Sequence, residues 1–274
     1  MNGIVVTARG QFREAMQGWW VGVYAVAFAA LALGLAVAGA RGAGALGFMG
    51  FNRTSASLLN ACLLLVPLVA LALGASAISG ERERGTLHGL LAQPVARGEV
   101  LAGTFLGLLG ALALATALGF GAAGFVIALL APVIDPGRYL TLLLLVVALA
   151  GVMLAIGLWL SVVCGSRMRA LGAARAVWFV LVLFFDLGVI GVTLSGVLGG
   201  RGLVAALLLN PVDVTRVLAV LRLSPDLDVL GPAGAYLTDT LGTGGTATVL
   251  TLALATWLAL PAAGAVWAFR RQDA

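Results

Sequence analysis

Few side chains in this sequence could do chemistry, and their spacing narrows what that chemistry is. Asp186 interrupts a long apolar run near its middle. A carboxylate at the centre of a membrane helix costs about 2.5–3.5 kcal/mol on insertion scales, so its presence demands a use. Two uses are open: a pathway or coupling residue, or a protonated or hydrogen-bonded aspartate that packs helices. His88 is the only histidine and lacks the neighbouring ligands that a metal ion needs, so it reads as a surface contact. Met49 and Met153 are isolated, whereas soft-metal conduction needs clustered thioether or thiolate ligands. Cys62 and Cys164 lie in separate apolar runs and suggest neither a disulfide nor a Cys-x-x-Cys site. An intramembrane aspartyl protease would need a second carboxylate in the membrane, and a serine type would need a base there. No catalytic residue and no metal ligand is therefore expected.

Two glycine patterns carry little weight on their own. Gly119-Phe-Gly-Ala-Ala-Gly124 fits the dinucleotide fingerprint, but no strand precedes it and it lies inside an apolar helix. Gly103 and Gly107 form a G-x-x-x-G pair, which a chain this rich in glycine produces by chance as readily as by need. The sequence contains no lysine, which excludes the phosphate-binding lysine of a P-loop. No cofactor is expected on this chain.

The densest charge lies at 80–99, between two apolar runs. Glu81, Arg82, Glu83 and Arg84 open a short helix there, followed by Gly85 and Thr86, and Pro94 closes it. Leu87, Leu90 and Leu91 fall at i, i+3 and i+4, an apolar stripe opposite His88. Such a helix at a membrane face either packs on its own protein or is gripped by a soluble partner. A second compact polar signature is Leu209-Asn-Pro-Val-Asp-Val-Thr-Arg216. Pro211 after Asn210 favours a helix start, and Asp213 in the first turn suits the helix dipole. Asn210, Asp213 and Arg216 serve either as ordinary capping or as a partner contact.

The elements that must position these residues are membrane helices. The 274 residues are 62% hydrophobic and 10% charged, with a mean hydropathy of +1.12. Lipid is the solvent for such a chain. The expected fold is an all-α membrane protein, one transmembrane domain over 1–274. An amphipathic helix at 1–18 lies in the interface, with Trp19 and Trp20 at headgroup level. Six spans follow at 19–40, 56–79, 100–130, 139–164, 176–197 and 247–269, each long enough to cross. The 203–209 run is too short to cross and is expected as an interfacial or external helix. The net charge of +5 reads as topology rather than as a nucleic-acid surface. Arg9, Arg13, Arg82, Arg84, Arg97, Arg167, Arg169, Arg175, Arg270 and Arg271 fall on one side. Their bias places both termini and 80–99 in the cytoplasm, and 199–245 outside.

Six spans, an amphipathic N-terminus and Gly-Glu-x-Glu-x-Gly-Thr-Leu between spans two and three together resemble the permease subunits of type-2 ABC exporters. Leu46-Gly-Phe48, Phe185-Asp-Leu187, Leu209-Asn-Pro-x-Asp-x-x-Arg-x-Leu218 and Phe269-Arg-Arg271 are similar to the members that support copper-site assembly in nitrous-oxide reductase. Thr215 departs from that pattern, which has an aromatic residue there. The resemblance implies a homodimer in a bacterial inner membrane. It implies two copies of a cytoplasmic ATPase (NosF-like), which hold the ATP and magnesium, and a β-helical periplasmic protein (NosD-like). It makes 81–91 a coupling helix gripped by the ATPase, and makes Asn210, Asp213 and Arg216 candidates for the external contact. Other readings are an exporter of lipid, drug or peptide, a secondary transporter using Asp186 for protons, and a non-transporting scaffold.

Overall fold

The computed structural model describes residues 3–46, 50–85, 96–130, 136–185, 187–188, 191, 199–223 and 231–271. Among them the regular structure is helical throughout. In chain order the helices are α1 (Gly3–Gln17), α2 (Trp19–Leu46), α3 (Gly50–Glu83), α4 (Arg97–Leu130), α5 (Pro136–Val163) and α6 (Arg167–Trp178). A π-helical segment (Phe179–Phe184) continues α6. Then come α7 (Gly200–Leu208), α8 (Pro211–Leu223) and α9 (Gly231–Arg271). Four helical stretches are long and apolar enough to cross a membrane, or up to six if two bent pairs each count as one span. Those pairs are α1 with α2, bent by 63°, and α7 with α8, bent by 107°. The 176–197 run is described only in part, and Asp186 lies outside the described residues.

Apolar side chains gain nothing by leaving lipid for one another, so close packing between small residues has to hold the bundle together. The tightest crossing joins α3 to α5. A Cβ on Gly74 would stand 2.6 Å from the Leu154 carbonyl oxygen, and one on Gly157 would stand 2.6 Å from that of Leu71. The two backbones touch reciprocally where neither residue carries a side chain. One turn further on, the buried Ser161 Oγ of α5 accepts the Ile78 and Ser79 N–H groups of α3, at 3.0 and 2.8 Å. Polar glue thus follows directly on close packing.

The Gly103 and Gly107 pair also has a purpose: it seats α1 on α4. A Cβ on Gly103 would lie 2.6 Å from Thr7 Cβ, and one on Gly107 would overlap the Ala8 carbonyl. Gly110 continues the stripe against the Phe12 ring. An aromatic column of Tyr24, Phe28, Phe120 and Tyr139 joins α2, α4 and α5, with ring centroids 5.4–5.8 Å apart. Its hydroxyls are satisfied: Tyr24 pairs with Thr116 at 2.9 Å, and Tyr139 donates to the Phe120 carbonyl at 2.7 Å.

The 199–245 interval holds α7, α8 and the first turns of α9. Gly242, with φ at 69°, breaks α9 into two helical parts. The tip between α7 and α8 sits beside α9, where Trp257 Nε1 donates to the Leu208 carbonyl at 3.0 Å. Trp257 precedes Arg271 by 14 residues, which is about 21 Å of helix at 1.5 Å per residue. The elbow therefore dips alongside the long helices.

Gly157→Leu would force α3 and α5 apart. Its expected effect is a loss of about 2 kcal/mol or more of stability through overpacking, read as a lowered thermal unfolding midpoint in detergent. Leucine at Gly172, where a Cβ meets nothing within 4 Å, should leave the midpoint within about 0.5 kcal/mol of its original value.

Candidate functional site

The sequence singled out the charged stretch after α3, and the structure revises how that stretch begins. Glu81, Arg82 and Glu83 do not open a new helix; they form the last turn of α3. Gly85 ends it at φ +71°, the left-handed conformation that glycine adopts without a Cβ clash. Its N–H donates to the Arg82 carbonyl at 3.2 Å, and the Arg84 N–H donates to that of Gly80 at 3.1 Å. The helix runs through because nothing at 80–83 stops it; the stop signal is Gly85. Thr86, Leu87, His88, Leu90 and Leu91 lie outside the described residues.

These charged residues tie three elements into a collar. Arg84 meets Glu81 at 2.7 Å and Glu14 of α1 at 3.6 Å. Glu83 Oε1 accepts the Arg167 backbone N–H at 2.8 Å, which sets a carboxylate against the positive start of α6. Arg82 donates to the Cys164 carbonyl at 3.2 Å, at the α5–α6 junction. Ser166 caps α6, accepting from the Arg169 N–H at 3.4 Å. Arg84 and Glu14 are both more than half exposed, so their pair is worth no more than about 1 kcal/mol.

The far end of the same stretch is anchored as well. Ala96 stands just before α4, and its N–H donates to Glu99 Oε2 at 3.2 Å, as in a capping box. Arg97 reaches across to the Phe269 carbonyl near the end of α9, at 3.3 Å. Any force on 86–95 thus meets α1, α3 and α6 on one side and α4 and α9 on the other. Arg82, Arg84, Arg97, Arg167 and Arg270 share this end of the bundle, grouped by contacts that link helix ends distant in sequence.

The second candidate group lies along the bundle, at the α7–α8 elbow. Asn210 and Thr215 are fully buried and Asp213 nearly so. Asn210 Oδ1 accepts the Val212 N–H at 3.0 Å and so caps α8. Its Nδ2 donates to Asp213 Oδ2 at 3.0 Å and to the Leu181 carbonyl at 2.8 Å. Asp213 Oδ1 accepts from Arg216 at 2.7 Å. Leu181 lies in the π-helical segment, so the amide joins that segment to the elbow. Capping and a contact between elements are therefore combined in one residue. No spacing rule on the sequence flags the π-segment or Ser161. Among the described residues, no group of three His, Cys, Asp or Glu side chains is placed to hold a metal ion.

The profile of a family described as "ABC-2 family transporter protein" matches residues 3–274. A relative from Pseudomonas aeruginosa is 36% identical over 97% of this chain and 97% of its own. One from Stutzerimonas stutzeri is 37% identical over 80% of this chain and 81% of its own. Both are called "Probable ABC transporter permease protein NosY".

Asn210→Ala should cost about 1–3 kcal/mol by removing the amide donor to the Leu181 carbonyl and the acceptor of the Val212 N–H. Asn210→Asp keeps the cap but loses the donor to Leu181 and sets a second carboxylate beside Asp213, so it should not restore stability. Thermal unfolding of the purified chain measures both variants, and a wild-type midpoint for Asn210→Ala would remove the assigned role.

Proposed function

The chain belongs to the ABC-2 family of transporter proteins as a multi-pass membrane permease subunit, and from that premise we propose that it is a lever driven from its 80–99 stretch. The driver is a separate cytoplasmic ATPase of the NosF type, which carries the ATP and magnesium. Two copies of the permease form a homodimer in the bacterial inner membrane, with both termini and the arginine-rich end in the cytoplasm. Residues 81–91 receive the ATPase. The six crossings of this reading are 19–40, 56–79, 100–130, 139–164, 176–197 and 247–269, with α1 as the interfacial helix.

The observation that carries this reading is the collar. The stretch that would meet the ATPase is tied at one end to Glu14, Cys164 and Arg167, and at the other to Phe269. Closure of the ATPases would push these anchors together. The α3–α5 crossing resists bending, so the shift passes along the bundle as a rigid-body motion. The Asn210 amide then links the π-segment to the elbow. Arg216, whose side chain is about one-third exposed, is the member of the elbow group able to reach an external partner. Asn210 and Asp213 shape that face from beneath.

The resemblance carried by Leu46-Gly-Phe48, Phe185-Asp-Leu187 and the 209–218 signature extends the proposal to copper-site assembly of nitrous-oxide reductase, beside a β-helical periplasmic protein of the NosD type. The scatter of sulfur and imidazole side chains in the sequence fits a sulfur species, or mechanical work on the external partner, better than bare copper as cargo.

Replacing Thr86 and Leu87 together with aspartate should abolish co-purification of the ATPase and ATP-dependent turnover, while the permease still folds. Unchanged assembly and turnover would sink the proposal. So would labelling of Thr86→Cys by an impermeant thiol reagent added outside intact cells.

A further inference from the structure

Gly85 and Gly242 are the two glycines with positive φ among the described residues. Gly85 ends a helix, where that conformation is ordinary. Gly242 lies inside one. Its φ of 69° and ψ of 172° fall in a region that only glycine enters without strain. The first part of α9, 231–241, is therefore kinked away from the rest. Gly244 and Gly245 follow closely, so the stretch around the break is also a weak helix former.

No packing holds the break itself, because residues 239–244 are all exposed. Gly242 also precedes Arg271 by 29 residues, which is about 43 Å of helix. With Arg271 at one boundary, Gly242 stands clear of a hydrocarbon layer of about 30 Å. Water can satisfy the backbone groups that a broken helix frees there, which lipid cannot. What the break achieves is to lay 231–241 on α7. The Tyr236 ring rests on Gly200, where a Cβ would overlap it. Leu237 and Thr238 are buried in the same part, whereas Tyr236 is 37% exposed, so its seat is shallow. The other end of α7 is held by the later part of α9, through Trp257 and the Leu208 carbonyl. That bond keeps α7 in place whether or not Tyr236 is seated.

We propose that 231–241 is a flap that swings on Gly242. In its seated form Tyr236 lies on Gly200 and Gly242 takes its positive φ. In its raised form α9 runs on as one helix through 242. Seating gains the contact with α7; raising gains the helical hydrogen bonds across the break and uncovers the start of α7. In the orientation proposed above, that surface faces outside. The flap needs neither an ATPase nor an external partner, so it can fail without that reading failing, and the reverse.

Spin labels at Asp239→Cys and Thr256→Cys, exposed positions on either side of Gly242, report the swing in the full-length chain. The background carries Cys164→Ser, and Cys62 is buried. Labelled chain is diluted with unlabelled chain in lipid nanodiscs, so that distances within one copy are read. In a continuous helix the two positions stand about 25 Å apart. Double electron–electron resonance should give two components, one at that distance and one for the seated form. Gly242→Ala bars the positive φ and should leave the continuous-helix component alone. Gly200→Ala fills the seat and should raise that component at the expense of the other. Gly244→Ala adds a methyl where a Cβ meets nothing within 4 Å, and should keep both. A single component without these changes would overturn the proposal, as would an unchanged distribution in both Gly242→Ala and Gly200→Ala. Loss of the seated component in Gly244→Ala would also overturn it, by assigning the effect to helix propensity and not to Gly242. If Gly242→Ala does not fold, the Gly200→Ala distribution decides.

Discussion

The α3–α5 crossing is the contact on which the rest of the bundle depends. Lipid supplies no hydrophobic force between helices, so what holds two of them together is dispersion at short range and whatever polar groups can meet. Gly74 and Gly157 allow the backbones to meet, and Ser161 then reaches two N–H groups of α3 that only a close neighbour could reach. The pair fixes the relative height of the two helices. Everything joined to either of them inherits that reference: the collar through Glu83 and Cys164, and α6 through Trp178, which donates to the Leu64 carbonyl at 3.0 Å.

Magnitudes separate the two ends of this frame. The collar's contact to α1, between Arg84 and Glu14, joins two exposed charged groups and is worth at most about 1 kcal/mol in water. A docking protein can rearrange such contacts cheaply. The elbow is held by a buried amide that satisfies three groups, where one lost partner costs about 1–3 kcal/mol. It should move as a unit with the π-segment rather than open. In the proposed lever the first would be the input end and the second the relay. The Gly103–Gly107–Gly110 stripe joins α1 to the same frame, and Glu14 ties that helix to Arg84.

The sequence made some of this plain and hid the rest. Long apolar runs, the arginine bias and the charged stretch at 80–99 are written in local composition, because a helix in lipid must satisfy its own backbone and so needs only its own residues. The helix start at Pro211 with Asp213 in its first turn is legible for the same reason: capping is a matter between neighbours in the chain. The misreading of Glu81–Glu83 as the start of a helix came from weighing charge over the true stop signal, the glycine that follows.

What needed the tertiary structure is what depends on a partner far along the chain. A G-x-x-x-G pair is common in so glycine-rich a sequence, and only the presence of Thr7 and Ala8 against it gives it meaning. Ser161 looks like any membrane serine until the helix beside it offers two N–H groups. Arg167 becomes the rim of a cavity only when Glu14, Glu81 and Arg84 arrive from α1 and α3. Local residues determine that a segment is a helix and how it begins and ends. Which faces touch, and which charges meet, is decided by packing between segments distant in sequence, and no single stretch of sequence contains it.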